Sequence, residues 1–84
     1  TQNITLTFEN ANQNIGIASG AFANNLGIKH LACKGGKIDV TSIGNGAFYN
    51  TGIDEKLTEL NEIASGDTNS HVGRIFDTEP QTEP

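Results

Sequence analysis

The side chains that could bind a metal ion are few, and their spacing is unfavourable for a metal site. His30 and Cys33 are three residues apart, and His71 lies far along the chain. If the first two lie on one β-strand, they point to opposite faces and cannot hold one zinc ion together. We therefore expect Cys33 to be a small core residue, and we expect the protein to bind no metal and no cofactor.

Two short motifs resemble ligand-binding loops but are incomplete. Asp67, Asn69 and His71 have the alternating spacing with which a calcium loop opens, yet its central glycine and bidentate glutamate are missing. The segment Gly44–Gly46 is a single Gly-x-Gly, without the third glycine or the following helix of a nucleotide-binding loop. We interpret both motifs as polar turns.

Candidates for catalysis are equally incomplete. A nucleophile needs a base and a group that orients the base, and the adjacent Ser70 and His71 do not by themselves make such a set. Glu59 and Glu62 would share one face of a helix, where carboxylates are usually solvated. We predict that the protein is not an enzyme and that it has no catalytic residues.

Composition and charge exclude several classes of partner. The 84 residues suffice for one domain, and the net charge is −5 with only five lysines and arginines. Because nucleic-acid backbones are bound by clustered positive charges, we expect no nucleic-acid partner. The sequence lacks the ~20-residue apolar run of a membrane-spanning helix, so we expect no membrane insertion.

The elements that would position these residues begin with two predicted strands. Residues 4–8 alternate between apolar side chains and threonines, which predicts a strand with one buried face. The segment "IKHLAC", from Ile28 to Cys33, is the second predicted strand, and its Leu31 and Cys33 would face the core.

An apolar motif occurs twice, at a spacing of 26 residues. Its first copy contains Ile17, Ala21 and Phe22, and its second copy contains Ile43, Ala47 and Phe48. Short repeats of this kind bury their apolar sides against each other. We expect Phe22 and Phe48 to be buried and stacked. We also expect Asn24 and Asn50, each two residues after a phenylalanine, to bond backbone groups of the neighbouring turn and so form a ladder.

Beyond Ile53 the pattern changes, and two interpretations remain open. Apolar residues at intervals of three within residues 57–63, preceded by acidic residues, favour a short helix near residues 54–64. The alternative is a divergent third repeat, since Ile63–Gly66 matches Ile17–Gly20.

The C-terminal part of the chain divides into an apolar and a polar segment. Residues 71–76, "HVGRIF", would form a last strand. Residues 77–84 hold both prolines in a Thr-Glu-Pro pattern and would form a linker or tail, which we expect to be mobile.

The second copy of the apolar motif resembles a known repeat family. The segment "VTSIGNGAFYNTGI", from Val40 to Ile53, is similar to the BspA-type leucine-rich repeats of bacterial surface proteins. The matching residues are Val40, Ile43, Gly44, Ala47 and Phe48. The chain departs from the family pattern in lacking its prolines, and in having Ala18 where glycine is usual.

The resemblance implies a fold, a domain organisation and a broad function. The fold would be β-rich, with α+β as an alternative: a leucine-rich-repeat solenoid of two to three coils with short strands and irregular turns. The domain would comprise residues 1–76, with repeats at about 4–26, 27–53 and 54–76. The function would be that of a non-enzymatic binding or adhesion module, secreted or at a bacterial cell surface, as part of a larger protein. A structural spacer or capping domain without a ligand is the alternative function.

Lys29 and His30 are the candidate partner-binding residues. They lie on the predicted strand whose Leu31 and Cys33 face the core. Lys29 and His30 would therefore be exposed and able to contact a partner. Because both are potentially cationic in an acidic chain, the sequence predicts an acidic or polyanionic protein or glycan as the ligand.

Overall fold

The computed structural model describes residues 2–80 as a small α+β fold. Four short strands and two helices follow one another: β1 (Ile4–Phe8), β2 (Ile28–Cys33), β3 (Ile38–Asp39), α1 (Lys56–Ile63), β4 (Ala64–Ser65) and α2 (Thr68–Phe76). A short 3-10 helix, Val40–Ser42, directly follows β3. The strands form two separate parallel sheets, one of β1 with β2 and one of β3 with β4.

The first sheet confirms both strands that the alternating pattern predicts, and it contains a β-bulge. Ile4 lies opposite Ile28, but the next residue, Thr5, lies opposite His30. Lys29 is therefore an extra residue in β2 with no counterpart in β1, which is the definition of a bulge.

The predicted β-rich leucine-rich-repeat solenoid is wrong. Residues 2–80 form an α+β fold with two short parallel sheets and two helices, and no solenoid of repeats is evident in this part of the chain. The strands are two to six residues long. Residues 56–76 are mainly helical, because their apolar residues recur at helical spacing. Of the two interpretations for residues 54–64, the helix is correct, since α1 spans Lys56–Ile63.

The two copies of the apolar motif lie directly against each other. The rings of Phe22 and Phe48 stack with their centroids 5.5 Å apart and their planes within 6°. Ile17 and Ile43 form a parallel β-bridge beside them. The predicted stacking is confirmed, while burial differs between the rings, since Phe48 is fully buried and Phe22 only half-buried.

A third and a fourth ring extend this aromatic stack. Phe76, at the end of α2, stacks on the other face of Phe48 at 5.7 Å. Phe8, at the end of β1, meets Phe22 edge-on at 6.0 Å. The stack therefore joins β1, both copies of the motif and α2.

Asn24 and Asn50 are hydrogen-bonded as a pair, but their side chains bond each other and not the predicted backbone groups. Their φ angles are +66° and +58°, in the left-handed region that asparagine tolerates better than most residues with a Cβ atom. The Asn50 side-chain amide donates to the Asn24 side-chain carbonyl at 3.0 Å. The Asn24 backbone N–H also donates to the Tyr49 carbonyl at 2.7 Å.

Helix α2 stands where the sequence predicts a last strand at residues 71–76. Val72, Ile75 and Phe76 are spaced as the apolar face of a helix, and the last two are buried. Asp67 precedes the helix, and its carboxylate accepts a hydrogen bond from the Ser70 N–H at 3.3 Å. Such an N-cap satisfies a donor that the first helical turn leaves free.

The core draws on strands, turns and both helices. Its fully buried large side chains are Phe48, Ile38, Ile43, Leu60, Ile63, Ile75 and Val40. Within residues 2–80, neither helix has the length and apolar character needed to cross a membrane.

The predicted tail is only partly described. Residues 81–84 lie outside the described residues, so the expectation of mobility there has no structural counterpart. Residues 77–80 follow α2, and the Pro80 ring lies against Gly20, where an added Cβ atom would come within 2.9 Å of it. This first half of the predicted tail therefore contacts the turn that holds the first copy of the motif.

Candidate functional site

The β-bulge determines where the two predicted binding residues lie. Consecutive side chains of a regular strand point to opposite faces. Here Ile28 and Leu31, three positions apart, are both buried. Lys29 and His30 lie between them, and both line the same surface groove. The bulge thus brings two consecutive side chains to one side of β2.

A hydrogen bond joins His30 to a carboxylate from α1. Its Nδ1 lies 2.9 Å from Oε1 of Glu59, and the His30 side chain is 55% exposed while that of Glu59 is 12% exposed. A carboxylate can only accept, so Nδ1 carries the proton in this contact. The neutral ring then presents Nε2 to the solvent as an acceptor, and the protonated ring presents it as a donor.

Glu59 also covers the edge of β2 that β1 leaves open. Its second oxygen, Oε2, accepts a hydrogen bond from the Leu31 backbone N–H at 2.9 Å. Both carboxylate oxygens of Glu59 are therefore engaged, one by His30 and one by the strand. The contact fixes α1 beside β2 and orients the imidazole ring.

The groove beside these residues crosses three parts of the chain. It has a volume of about 460 Å³. Gln2 and Asn3 contribute from the segment before β1, and Lys29 and His30 contribute from β2. The opposite wall is formed by Asp54, Glu55 and Glu59, together with Gly52, at the start of α1.

Two carboxylates of this wall are available to a ligand. Glu55 is the N-cap residue of α1, but its side chain makes no capping hydrogen bond. Both Asp54 and Glu55 are exposed, and neither forms an ion pair with another residue among 2–80. The positive end of the α1 dipole favours negative charge at this place.

The absence of a side chain at Gly52 lets the Lys29 side chain lie close to its backbone. An added Cβ atom at this position would lie 2.9 Å from Cδ and 3.0 Å from Nζ of Lys29. The Gly52 N–H donates to the Ile28 carbonyl at 3.0 Å, so its backbone runs alongside β2. The added Cβ atom would come still closer to the Leu26 backbone carbonyl oxygen, so a larger residue would require a shift of the backbone as well as of the lysine.

The charges around Lys29 and His30 disfavour the polyanionic partner that the sequence predicts. Glu59 is already bonded to His30, which leaves two carboxylates, those of Asp54 and Glu55, with one lysine in the groove. A ligand with positively charged groups fits this balance better than an anionic one.

Cys33 behaves as a core residue, as the sequence predicts. It is partly buried against the apolar core, and its Sγ lies 3.5 Å from the Ile63 carbonyl oxygen in a weak hydrogen bond. Burial raises the pKa of the Cys33 thiol above its ordinary value, partly offset by the positive charge of Lys37. The thiol is therefore a poor nucleophile at neutral pH.

The residues of the incomplete calcium motif have structural roles. Asp67 caps α2, and the Ser70 hydrogen bonds lower the pKa of its carboxyl group. His71 accepts a hydrogen bond at Nδ1 from Nε of Arg74, at 2.9 Å. Among the residues that the structure describes, no three His, Cys, Asp or Glu side chains are placed to hold a metal ion.

The Gly44–Gly46 motif is a binding place for an arginine of α2. The Arg74 guanidinium donates to the carbonyls of Val40 and Ile43 and to Oδ1 of Asn45. The motif is therefore part of a polar turn, as the sequence predicts, and the side chain bound to this turn is Arg74. The sequence alone does not reveal it, because Arg74 lies 28 or more residues away.

The carboxylates of the groove are the site residues that sequence analysis missed. Asp54 and Glu55 appeared only as acidic residues at a helix start, and Glu59 as part of a solvated face. Which strand the helix start would face is not encoded locally. Comparisons of the chain with known protein families, with curated proteins and with solved structures find no match.

Proposed function

We propose that the chain is a non-enzymatic binding module, secreted or displayed at a cell surface as part of a larger protein. The observation that carries the proposal is the groove in which Lys29 and His30 meet Asp54 and Glu55. Its secreted or cell-surface location is proposed from the resemblance of Val40–Ile53 to surface-protein repeats.

The ligand is a protein or glycan segment that carries positively charged groups. Asp54 and Glu55 accept those groups, while Asn3 and the free nitrogen of His30 provide neutral hydrogen-bonding partners. The groove is open to solvent, since most of the polar side chains that line it are exposed. Exposed ion pairs contribute little individually, so the ligand binds with modest affinity that falls as salt concentration rises.

Binding to arrays of purified extracellular-matrix proteins and glycans tests the proposal. Two double variants address the groove: Lys29→Ala with His30→Ala, and Asp54→Asn with Glu55→Gln. Lys34→Ala is the matched control, because Lys34 is an exposed lysine in the turn after β2 whose neighbour is Glu9 at 3.9 Å.

The carboxylate variant should bind roughly two- to thirtyfold more weakly than the wild type, given ~0.2–1 kcal/mol for each exposed ion pair. The control should bind as the wild type does. If a ligand binds both double variants as tightly as the wild type, its site lies elsewhere. If no component of either array binds, the spacer function becomes the better explanation.

A further inference from the structure

Asn45 and Gly46 form the only Asn-Gly pair in the sequence. In such a pair the glycine backbone nitrogen can attack Cγ of the asparagine, because glycine has no side chain to hinder the approach. A bond forms between this nitrogen and Cγ, the Cγ–Nδ2 bond breaks, and ammonia leaves. Water then opens the cyclic imide at either carbonyl, which yields aspartate or isoaspartate.

One residue holds both reacting groups of this pair. Arg74 Nη1 donates to Oδ1 of Asn45 at 3.1 Å. The Gly46 backbone N–H, which would supply the nucleophile, donates to the Arg74 carbonyl at 2.9 Å. The side chain and the main chain of Arg74 thus keep the electrophile and the nucleophile in separate hydrogen bonds.

Further contacts restrict the same turn. The Ser19 hydroxyl donates to the Asn45 carbonyl at 2.7 Å. Gly46 is buried with a φ of +66°, and an added Cβ atom would meet Pro80 Cδ at 2.7 Å. Asn45 itself is exposed to solvent. Water and base can therefore reach the asparagine, while the backbone that must rotate for ring closure is enclosed.

The guanidinium has two opposing effects on this reaction. By donating to Oδ1 it polarises the amide, which alone would assist attack at Cγ. Ring closure, however, requires the Gly46 nitrogen to lose its proton and approach Cγ, so its hydrogen bond to the Arg74 carbonyl must break first. Restraint of the nucleophile therefore outweighs polarisation of the electrophile.

We propose that Asn45 is a deamidation site that Arg74 shields, and that the reaction starts when α2 separates from the turn of residues 43–46. Conversion to aspartate places a carboxylate beside the guanidinium and preserves the contact. Conversion to isoaspartate inserts a methylene group into the main chain. Gly46 is then displaced from its hydrogen bond to the Arg74 carbonyl of α2. The fraction of molecules deamidated at Asn45 therefore increases with the total time that α2 has been detached.

The test follows deamidation by mass spectrometry of proteolytic fragments, in mildly alkaline buffer at physiological temperature. The samples are the wild type, Arg74→Ala, Arg74→Lys, and a synthetic peptide of residues 40–53 as the unprotected reference. Glu59→Ala is the matched control, since it loses two hydrogen bonds at β2 and leaves the Asn45 turn intact. Circular dichroism establishes that each variant is folded, and a wild-type series in increasing urea replaces any variant that is not.

The wild type should deamidate at least about tenfold more slowly than the peptide, equivalent to ~1.4 kcal/mol for local opening. Arg74→Ala should approach the peptide rate, Arg74→Lys should be intermediate, and Glu59→Ala should remain near the wild type. In the urea series, the rate should rise with the fraction of opened molecules.

Three results would overturn the proposal. A wild-type deamidation rate equal to that of the peptide would mean that the turn gives no protection. Arg74→Ala could react at the wild-type rate or more slowly, which would make polarisation the dominant effect. Equal acceleration in Glu59→Ala and Arg74→Ala would assign the protection to overall stability rather than to Arg74.

Discussion

Two charged side chains, Glu59 and Arg74, attach the helices to the rest of the chain through backbone groups. Glu59 accepts the Leu31 N–H, and Arg74 donates to the carbonyls of Val40 and Ile43. Bonds between a charged and a neutral group are stronger than bonds between neutral groups. These two residues therefore satisfy polar groups that apolar packing alone would leave unpaired.

Phe48 is the largest fully buried side chain of the described core. Its ring is fully buried between Phe22 and Phe76. Phe48→Ala should lower the free energy of unfolding by roughly 3–5 kcal/mol, as large-to-small core changes do. Phe22→Ala should cost less, because this ring is half-buried. Urea denaturation of both variants checks the order, and equal losses would contradict it.

Asn50 offers a test of backbone conformation at a single residue. Its φ of +58° is unfavourable for alanine by roughly 1–2 kcal/mol but is accessible to glycine. Asn50→Ala should therefore melt at a lower temperature than Asn50→Gly, although both lose the same side-chain hydrogen bond to Asn24. A melting temperature for the alanine variant equal to or above that of the glycine variant would argue against a left-handed residue here.

At the scale of elements, two of the three described helical segments after β3, the 3-10 helix and α2, start with an aspartate cap. Asp39 caps the 3-10 helix by accepting from Thr41, and Asp67 caps α2. Hydrogen bonds from Thr41 lower the pKa of the Asp39 carboxyl, and those from Ser70 lower that of Asp67.

The caps predict a loss of stability in acid. Because the pKa of each carboxyl is lower in the folded chain, its contribution is present above the unfolded value of about 3.9 and disappears as pH falls through the folded value. Melting temperatures measured from neutral pH to below pH 4 should therefore fall at the acid end. The double variant Asp39→Asn, Asp67→Asn should show a flatter acid limb, since asparagine also caps but does not titrate. An unchanged acid limb would place the titrating groups elsewhere.

The elements that the sequence predicted correctly are those with a clear local pattern. Alternation was sufficient for β1, and intervals of three were sufficient for α1. In α2 the helical spacing of Val72, Ile75 and Phe76 is present together with the cap residue Asp67, but so short an apolar segment also fits a strand. Helical spacing and a cap together are the stronger signal in such a segment.

Only the β2 side of the groove, with Lys29 and His30, could be predicted from the sequence. Lys29 and His30 were accessible to sequence reasoning because they interrupt an apolar strand. The bulge that places them together depends on the partner strand β1, and Glu59 depends on how α1 packs against β2. Both are tertiary features, which a pattern along one chain segment does not contain.

For the whole molecule, we predict folding without a metal ion. The described side chains offer no cluster of three metal ligands, and the core is apolar. A strong chelator should leave the far-ultraviolet circular dichroism spectrum and the melting curve of the purified protein unchanged. A drop in melting temperature that added zinc or calcium reverses would show that a metal contributes.

The spacing of the aromatic stack favours neither of its two loop closures over the other during folding. Phe22, Phe48 and Phe76 are 26 and 28 residues apart, so each contact closes a loop of nearly equal length and nearly equal entropic cost. Neither closure has a kinetic advantage from length, and Phe48 takes part in both. Truncating Phe48 should therefore slow refolding whichever loop closes first. Truncating Phe22 should mainly accelerate unfolding in molecules whose transition state forms around Phe48 and Phe76.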